Sequence, residues 1–376
     1  MTKYLLFIKI ILLKFFYLNL SFIKREISGY PKHVIEFEKY FSKYVGRKYG
    51  LTFCNGTSAI EAAIYALNLD KNSEILIPSS TFHASIGPIL NQNFKIKFVD
   101  IDNETLTIDC DDLEKKINNN TRALIIVHPW GYPCDMSRIS EITKKNQIKL
   151  IEDCSHAHGA KYKNNMIGSY GDISCFSLQG NKAVAGGEAG ISLTNDNEYY
   201  LRMSVFGHFN RFETELRENE NLKSFSKTGL SKKLRAHPFS ICLAKVDLKN
   251  IDKLNYHKTN VYKKIDKIVS NYNFLKTMRI NENGLRGGFF GGYPIIIVDE
   301  INKKKIIDTF NSFNLKLIKY PWLNHHKMKI YTQDNIKLDN TEEISEKFFL
   351  LNIPYLLNFN YKILFKCLEK ISKEIG

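Results

Sequence analysis

Short apolar runs alternate with amphipathic stretches over the first two thirds of the chain. Val34, Phe37, Phe41 and Val45 recur at helical spacing and predict a helix over 33–45. The apolar runs predict strands at 51–54, 74–78, 94–99, 123–128, 148–153, 171–177 and 190–194. This alternation predicts an α/β fold, with a mostly parallel mixed sheet between helices. Ligands of such sheets bind beyond the carboxyl ends of the strands.

The pattern changes near residue 250. A long helix is predicted over 251–269, followed by shorter strand-like segments such as 293–298 and by further helices. We therefore predict three parts: an apolar and basic N-terminal helix (1–28), a large domain (29–250) and a smaller α+β domain (251–376).

The N-terminal segment is strongly apolar from Tyr4 to Ile23, but Lys9 and Lys14 interrupt it. A signal peptide has an unbroken apolar core and a small-residue cleavage site, and neither is present. A spanning helix needs about 20 apolar residues with few charges, so spanning is not expected. Two interpretations stay open: a helix packed on the core or a dimer partner, and a basic helix lying on a membrane surface. The predicted location is the cytoplasm, and the second interpretation adds peripheral contact with the inner membrane face.

Composition narrows the class of protein. The 376 residues carry 54 Lys and Arg against 39 Asp and Glu, a net charge of +15, which suits anionic ligands. The lysines are scattered and form no nucleic-acid-binding motif, so no nucleic-acid partner is predicted. Seven cysteines without a Cys-x-x-Cys pair suit a reducing compartment. The histidine pairs at 156/158 and 325/326 lack further ligands at suitable spacing, so no metal site is predicted.

Lys182 is the leading chemical candidate. It follows Ser-Leu-Gln-Gly-Asn and precedes a run of small residues, 183–190. A lysine among small, uncharged neighbours can lose its proton and form a Schiff base with an aldehyde. Asp153 ends an apolar strand, where a carboxylate can hold the ring nitrogen of pyridoxal 5'-phosphate (PLP). A solvated loop lysine and a helix-capping aspartate are the plainer alternatives.

A phosphate site is predicted where Gly56, Thr57 and Ser58 stand between a strand and a helix, which is predicted over 59–67. Free amides at a helix start, with two hydroxyls, suit a phosphate dianion, and Ser177 adds a hydroxyl. Ordinary helix capping and local backbone bonding are the alternatives.

Two further side chains are candidates for contact with the cofactor ring. Phe82 follows a strand and is a candidate to stack on the ring, although core packing is common for such aromatics. His156 stands three residues after Asp153 and is a candidate to contact the ring's 3'-oxygen. A structural histidine is the alternative.

Taken together, these segments resemble the DegT/DnrJ/StrS family of sugar aminotransferases, which have aspartate-aminotransferase (fold type I) architecture. The resemblance runs from about residue 29 to 254 and more faintly to the end. It is carried by the order and spacing of FCNGTSAIEAAIYALNL, ILIPSSTFHAS, VDIDNETLTID, IEDCSHAHGAKYKNNMIGSYGDISCFSLQGNKAVAGGEAGISLTND and LRAHPFSICLAKVDLKNID.

The resemblance implies roles for the same residues. Lys182 is the Schiff-base lysine, Asp153 the partner of the ring nitrogen, and His156 a residue near the cofactor oxygen. The phosphate and ring-stacking positions fall on Gly56, Thr57, Ser58, Ser177 and Phe82. The family implies a homodimer with shared active sites, and L-glutamate or L-glutamine as amino donor.

The chain departs from the family pattern beyond residue 230. Lys233 replaces the asparagine that usually reaches the phosphate from the other subunit. Arg235 and His237 lie in a segment that also differs, and they are predicted to contact substrate.

The predicted function is a PLP-dependent aminotransferase, with pyridoxamine phosphate formed in the first half-reaction. Its expected acceptor is a nucleotide-linked keto sugar, in surface-polysaccharide or amino-sugar biosynthesis. A small phosphorylated ketone such as dihydroxyacetone phosphate is an alternative. A non-catalytic regulator or membrane-associated scaffold of the same fold is another. Some relatives are dehydratases with histidine in place of the lysine, and Lys182 argues against that activity.

Overall fold

The computed structural model describes residues 3–320, 324–332, 334–353 and 359–375. The helices are α1 (Lys3–Ile23), α2 (Lys32–Val45), α3 (Gly56–Ala66), α4 (His83–Asn91), α5 (Cys110–Lys116), α6 (Met136–Lys145), α7 (Asn197–Gly207), α8 (Glu213–Glu218), α9 (Pro238–Leu248), α10 (Ile251–Val269), α11 (Lys303–Ser312), α12 (Asp339–Lys347) and α13 (Tyr361–Ile375).

The strands fall into three sheets. They are β1 (Tyr49–Phe53), β2 (Glu74–Pro78), β3 (Lys95–Val99), β4 (Thr121–Val127), β5 (Lys149–Asp153), β6 (Lys161–Tyr162), β7 (Asn165–Met166), β8 (Ile173–Ser177), β9 (Gly190–Thr194), β10 (Leu275–Lys276), β11 (Gly284–Leu285), β12 (Tyr293–Ile297), β13 (Leu317–Lys319) and β14 (Phe348–Leu351).

The main sheet has seven strands in the order β1-β9-β8-β5-β4-β2-β3. β3, β2, β4, β5 and β8 pair in parallel, and β9 runs antiparallel to both β8 and β1. The predicted mostly parallel mixed sheet is therefore confirmed. Because β1, β2, β4, β5 and β8 point the same way, their carboxyl ends meet at one edge. Polar residues follow each of these ends.

The helices cover both faces of this sheet, as predicted. In α2, Val34, Phe37, Phe41 and Val45 are buried, so the amphipathic pattern identified its inner face correctly. The prediction for the next helix was wrong at its start. We expected it to begin at residue 59, but α3 begins three residues earlier because the Asn55 side chain accepts the backbone amide of Ser58 and caps it.

The C-terminal part forms a second layer beside the first. β10, β12, β14 and β13 make a four-stranded antiparallel sheet with its own apolar cluster, which includes Ile265, Phe310 and Leu364. α10 spans Ile251–Val269, the range predicted from the sequence. The domain boundary at 250/251 falls between α9 and α10 and remains a prediction.

The N-terminal helix α1 has two different faces. Its inner face packs on α9, with Leu6 and Ile10 buried against Val246, and Lys14 forms an ion pair with Asp247 at 2.7 Å. Its outer face leaves large apolar side chains exposed: Leu5, Ile8, Leu12, Phe15, Phe16, Phe22 and Ile23. Among the described residues, Leu5–Ile23 is the one segment long and apolar enough to cross a membrane.

Candidate active site

Lys182 lies on the loop that joins β8 to β9. The loop folds back on itself, since the amides of Gly180 and Gly186 donate to Gly187 and Leu178. The amine lies 3.8 Å from the ring centroid of Phe290. Burial lowers the pKa of Lys182 from 10.5 to about 8, against the opposing charge of Asp153. The amine is therefore easier to deprotonate than an ordinary lysine, as a Schiff-base nucleophile requires.

Asp153 ends β5 with its carboxylate buried at the carboxyl edge of the sheet. One carboxylate oxygen accepts the hydroxyl of Ser85 at 2.6 Å, and the other accepts the amide of Ser155 at 3.0 Å. Thr81 donates in turn to Ser85 at 3.2 Å. These bonds hold the carboxylate in one orientation. Ser85 was not predicted from the sequence, because only the fold brings the start of α4 against the end of β5.

A cavity of about 110 Å³ lies at this edge of the sheet. Its lining brings together seven of the sequence-predicted residues: Gly56, Thr57, Phe82, Asp153, His156, Ser177 and Lys182. It also includes residues that the sequence analysis did not single out, among them Asn55, Thr81, Ser85, Gln179 and Glu188.

The start of α3 and the end of β8 approach each other closely in this cavity. A Cβ at Gly56 would lie 2.8 Å from the Cβ of Ser177, so no larger residue fits without movement. This closeness places the Ser177 hydroxyl beside the first turn of α3, where unpaired amides attract anions.

Ser58, also predicted for the phosphate, lies below this surface. Ser58 is not one of the described residues that line the cavity. Its amide is taken by Asn55 at 2.8 Å, and its hydroxyl lies 3.3 Å from the sulfur of Cys54. The phosphate prediction therefore keeps its support at Gly56, Thr57 and Ser177 and has none at Ser58.

His156 lies flat against Phe290, with ring centroids 3.9 Å apart and planes inclined by 12°. Its Nδ1 accepts the backbone amide of Trp130 at 3.3 Å. Burial, with the nearby charge of Lys182, lowers the pKa of His156 well below its usual value. The ring is therefore neutral and fixed in orientation. Phe290 escaped the sequence analysis, although the repeated glycines at 287–292 mark a loop that approaches other backbone closely.

Arg286 holds that glycine-rich loop against the large domain. Its guanidinium is buried and donates two bonds to the carbonyl of Trp130 and one to the hydroxyl of Tyr132. Gly131 and Gly287 are in such close contact that a Cβ on Gly131 would collide with the Gly287 carbonyl. The position of Phe290 beside Lys182 thus depends on contacts between residues far apart in sequence.

Lys233, Arg235 and His237, where the chain departs from the family pattern beyond residue 230, lie away from this cavity. Lys233 is exposed at positive φ, with its amine 5.2 Å from the ring of Phe209. Arg235 contacts the same ring at 5.1 Å. His237 begins α9, where its Nδ1 accepts the amide of Phe239 at 3.2 Å. In the described part of this chain, none of the three predicted residues lines the cavity.

One group of described residues has metal-ligand geometry: His128, Glu152 and Cys154. Its atoms already have structural roles. The Glu152 carboxylate accepts the amides of Gly168, Tyr170 and Gly171, and burial raises the pKa of the Cys154 thiol well above its usual range. A protonated thiol is a poor ligand, so this cluster is explained as an anchor for the 168–171 turn.

The donor set of the cavity fits PLP. The buried carboxylate of Asp153 could accept a ring N–H, and the Lys182 amine, with its lowered pKa, could bond to an aldehyde carbon. The first turn of α3 with Ser177 supplies amides and a hydroxyl for a phosphate. Fold and site together define the class: an α/β protein with the architecture of the PLP-dependent transaminases.

The chain belongs to the DegT/DnrJ/EryC1/StrS aminotransferase family, whose model matches residues 24–360. Over 190 residues it is 39% identical to the GDP-perosamine synthase of Escherichia coli, covering 50% of this chain and 52% of that protein. Over 177 residues it is 36% identical to the dTDP-3-amino-3,6-dideoxy-alpha-D-galactopyranose transaminase of Aneurinibacillus thermoaerophilus, covering 47% and 49%. The chain spans about half the length of the curated relatives it matches.

Solved structures establish the fold over almost the whole chain. An aminotransferase from Psychrobacter cryohalolentis superposes with a TM-score of 0.87 at 21% identity, covering 96% of this chain and 97% of that one. The E. coli GDP-4-keto-6-deoxy-D-mannose-3-dehydratase with bound hydrated PLP gives 0.81 at 20% identity, covering 97% and 96%.

Proposed function

We propose that this protein is a PLP-dependent aminotransferase that moves an amino group from L-glutamate or L-glutamine to a nucleotide-linked keto sugar. One observation carries the proposal: Lys182 and Asp153 line the same cavity, and the pKa of the lysine is lowered to about 8. The nucleotide-sugar acceptor is supported by the relatives, which include a GDP-perosamine synthase and a dTDP-amino-sugar transaminase. Their products suit a role in amino-sugar and surface-polysaccharide biosynthesis.

Each side chain has a defined task in this reaction. Bound PLP supplies an electrophilic carbon and a ring that withdraws electrons from the substrate. Lys182 Nζ takes the proton from the donor's Cα. In the second half-reaction it delivers a proton to the acceptor carbon that gains the amine. Asp153 would accept the N–H of the ring, and the hydroxyl of Ser85 holds that carboxylate in one orientation. Neutral His156 holds a flat surface against Phe290 without adding charge near the amine.

The test is spectroscopic. Purified protein mixed with PLP should turn yellow, and L-glutamate should bleach that colour while forming one equivalent of 2-oxoglutarate. Addition of a GDP- or dTDP-linked keto sugar should restore the colour. Restoration by dihydroxyacetone phosphate alone would favour the phosphorylated-ketone alternative. A wild-type protein that takes up no PLP would contradict the proposal.

The proposal includes a homodimer with shared sites. Its support is the exposure of Lys233 and the position of Arg235 and His237 away from their own chain's cavity, where they are available to a second copy. Mixing Lys182→Ala protein with Lys233→Ala protein should restore roughly a quarter of the sites, since half of the dimers are mixed and each mixed dimer carries one intact site. No recovery, or a monomer by light scattering, would contradict the shared site.

The proposal places the enzyme in the cytoplasm, with α1 on an anionic membrane surface. All seven cysteines are free, which suits a reducing compartment. The outer face of α1 exposes Leu12, Phe15 and Ile23 at 64%, 69% and 76%. Phe15, Phe16 and Phe22 alone, aromatic side chains of about 150–250 Å² each that are more than half exposed, make this patch several hundred Å². That area is typical of interaction sites.

Charge favours lipid over a second copy as the cover of this face. Residues 1–25 contain lysines and an arginine but no acidic residue. Contact between two α1 helices would bring like charges together, whereas anionic lipid complements them. The ion pair of Lys14 with Asp247 and the burial of Leu6 keep the helix docked on the protein, which favours lying on the surface over crossing.

Vesicle flotation tests this placement. Wild type should bind vesicles containing anionic phosphatidylglycerol and release them in high salt, while Leu12→Glu/Phe15→Glu protein should stay in solution. Equal flotation of both proteins would contradict the proposal. Loss of dimerisation in the variant would instead assign the face to a second copy.

A further inference from the structure

Lys182 lines a second cavity, on the side away from Asp153. This cavity has a volume of about 630 Å³ and lies between α1, α10 and the glycine-rich loop that carries Phe290. Its size falls in the range of small-molecule sites, roughly 300–1,000 Å³. The amine of Lys182 therefore stands at the junction of two cavities, the smaller one ending at Asp153 and the larger one walled by α1.

The larger cavity combines apolar walls with positive charge. Phe7 and Ile11 of α1 face it across from Val261 of α10. The charged residues of its described lining are Lys14, Lys182, Lys258 and Asp247, so positive charge is in excess. Because Asp247 is paired with Lys14 at 2.7 Å, its negative charge is already balanced. Such a surface suits a ligand with a flat or apolar group and an anionic group.

The α1 wall is connected to the Lys182 loop through Asp247. One oxygen of this buried carboxylate accepts both the amine of Lys14 and the backbone amide of Ala185 at 3.0 Å, three residues after Lys182. The contact fixes the distance between the helix and the loop. Displacing α1 would thus open the cavity and loosen the segment that carries the reacting amine.

We propose that this cavity binds the non-reacting, anionic part of the acceptor, with Lys258 contacting its phosphates and Phe7 and Ile11 forming an apolar wall for its remaining groups. The inference rests on the proposed function and names the residues of this chain that select the acceptor. It assigns α1 two roles: its outer face meets the lipid surface, and its inner edge closes the acceptor site. Lys14 acts as a positioning residue through Asp247.

Nucleotide affinity tests the assignment without turnover. GDP and dTDP would be titrated by calorimetry into the PLP-loaded enzyme. Lys258→Ala should weaken the better-bound nucleotide about tenfold, as expected for loss of a charged phosphate contact. Lys253→Ala is the matched control, since Lys253 is exposed on the same helix outside the described lining, and it should bind as wild type does.

A second pair of variants tests the apolar wall. Phe7→Ala removes a ring that faces the cavity, whereas Leu12→Ala removes a similarly apolar side chain from the outer face of α1. Nucleotide affinity should fall in the first and not in the second. For Lys14→Met, the affinity should fall together with faster protease cleavage in the 180–187 loop, because the helix no longer holds Asp247.

The failure of this inference is separable from failure of the proposed function. If GDP and dTDP both fail to bind wild type, or if Lys258→Ala and Lys253→Ala bind them equally, the acceptor assignment is overturned. Bleaching of the wild-type colour by glutamate, with 2-oxoglutarate formed, would still support the aminotransferase. Absence of that bleaching would overturn the proposed function itself.

Discussion

The two cavities that meet at Lys182 are built in different ways. The cofactor side is made where strands β1, β2, β5 and β8 end, so the backbone of one sheet places its donors. The acceptor side is made by α1, α10 and the 287–292 loop, which come from opposite ends of the chain. The first depends on the register of a sheet and the second on packing between distant elements. We therefore expect substitutions in α1, α10 and the 287–292 loop to change which acceptor binds while the amino-group transfer itself is kept.

Replacing Lys182 by alanine is the largest change to the cofactor side. Transamination should fall by about 10³-fold or more, because the proton carrier is lost, and the yellow colour of the lysine-bound cofactor should disappear. Absorbance and a coupled 2-oxoglutarate assay measure both. The control is Lys227→Ala, an exposed loop lysine, which should keep the colour. If Lys182→Ala kept both its colour and its activity, Lys182 would be neither the cofactor-binding lysine nor the proton carrier.

Asp153→Asn should be the next largest change. The amide keeps the shape and the Ser85 contact but loses the charge that favours a protonated ring, so kcat should fall about 10²-fold. Asp153 also raises the pKa of the free Lys182 amine by its charge, so PLP uptake by the cofactor-free variant should reach its full rate at lower pH than in wild type. Absorbance measurements of the uptake rate across pH measure the shift. An unshifted uptake profile with normal kcat would remove Asp153 from the site.

Residues at the ends of strands could be predicted from the sequence, whereas residues placed by packing between distant elements could not. Asp153, Ser177 and Gly56 were predicted because each follows an apolar strand, and parallel strands place such ends together. Phe290 and Arg286 were missed because their contacts cross more than 100 residues of sequence and have no periodic signature.

Other sequence predictions lack support in the structure, or stay predictions, for equally specific reasons. Ser58 was assigned to the phosphate because its residue type suits that role, but Asn55 had already taken its amide as a helix cap. The start of α3 was misplaced for the same reason. For Lys233 the role implied by the resemblance depends on a second copy, and no pattern within one chain could place it. The substrate contacts predicted for Arg235 and His237 stay predictions.

Arg286→Met should break the link between the two parts without touching the cofactor. The variant loses three buried donors and leaves the Trp130 carbonyl without them, which should destabilise the fold by about 3 kcal/mol. Chemical denaturation measures the change. The matched control, Arg279→Met, removes an exposed arginine paired with Glu104 and should cost less than about 1 kcal/mol. If both variants lost the same free energy of unfolding, the buried hydrogen bonds of Arg286 would contribute no more to stability than an exposed ion pair.

Lys182→Met should stabilise the protein without cofactor, the smallest predicted effect. Since the folded pKa is about 8 against 10.5, holding the charged amine in the site costs stability fully below pH 8. That cost falls as pH rises and is gone above about 10.5. The variant should gain about 1–2 kcal/mol at pH 7, within the roughly 3 kcal/mol that the full shift represents. Thermal unfolding at pH 7 and 10.5 would show no pH-dependent gain if the amine were solvated.

A single-turnover experiment tests most directly whether an acceptor bound in the larger cavity reacts at the cofactor beside Lys182. Enzyme carrying pyridoxamine phosphate would be mixed with a GDP- or dTDP-linked keto sugar, and the return of the aldehyde absorbance followed in wild type and in Lys258→Ala. We expect full return in wild type and the same final absorbance in the variant, reached only at about tenfold higher acceptor concentration. Identical concentration dependence in the two proteins, or no return in wild type with either sugar, would contradict it.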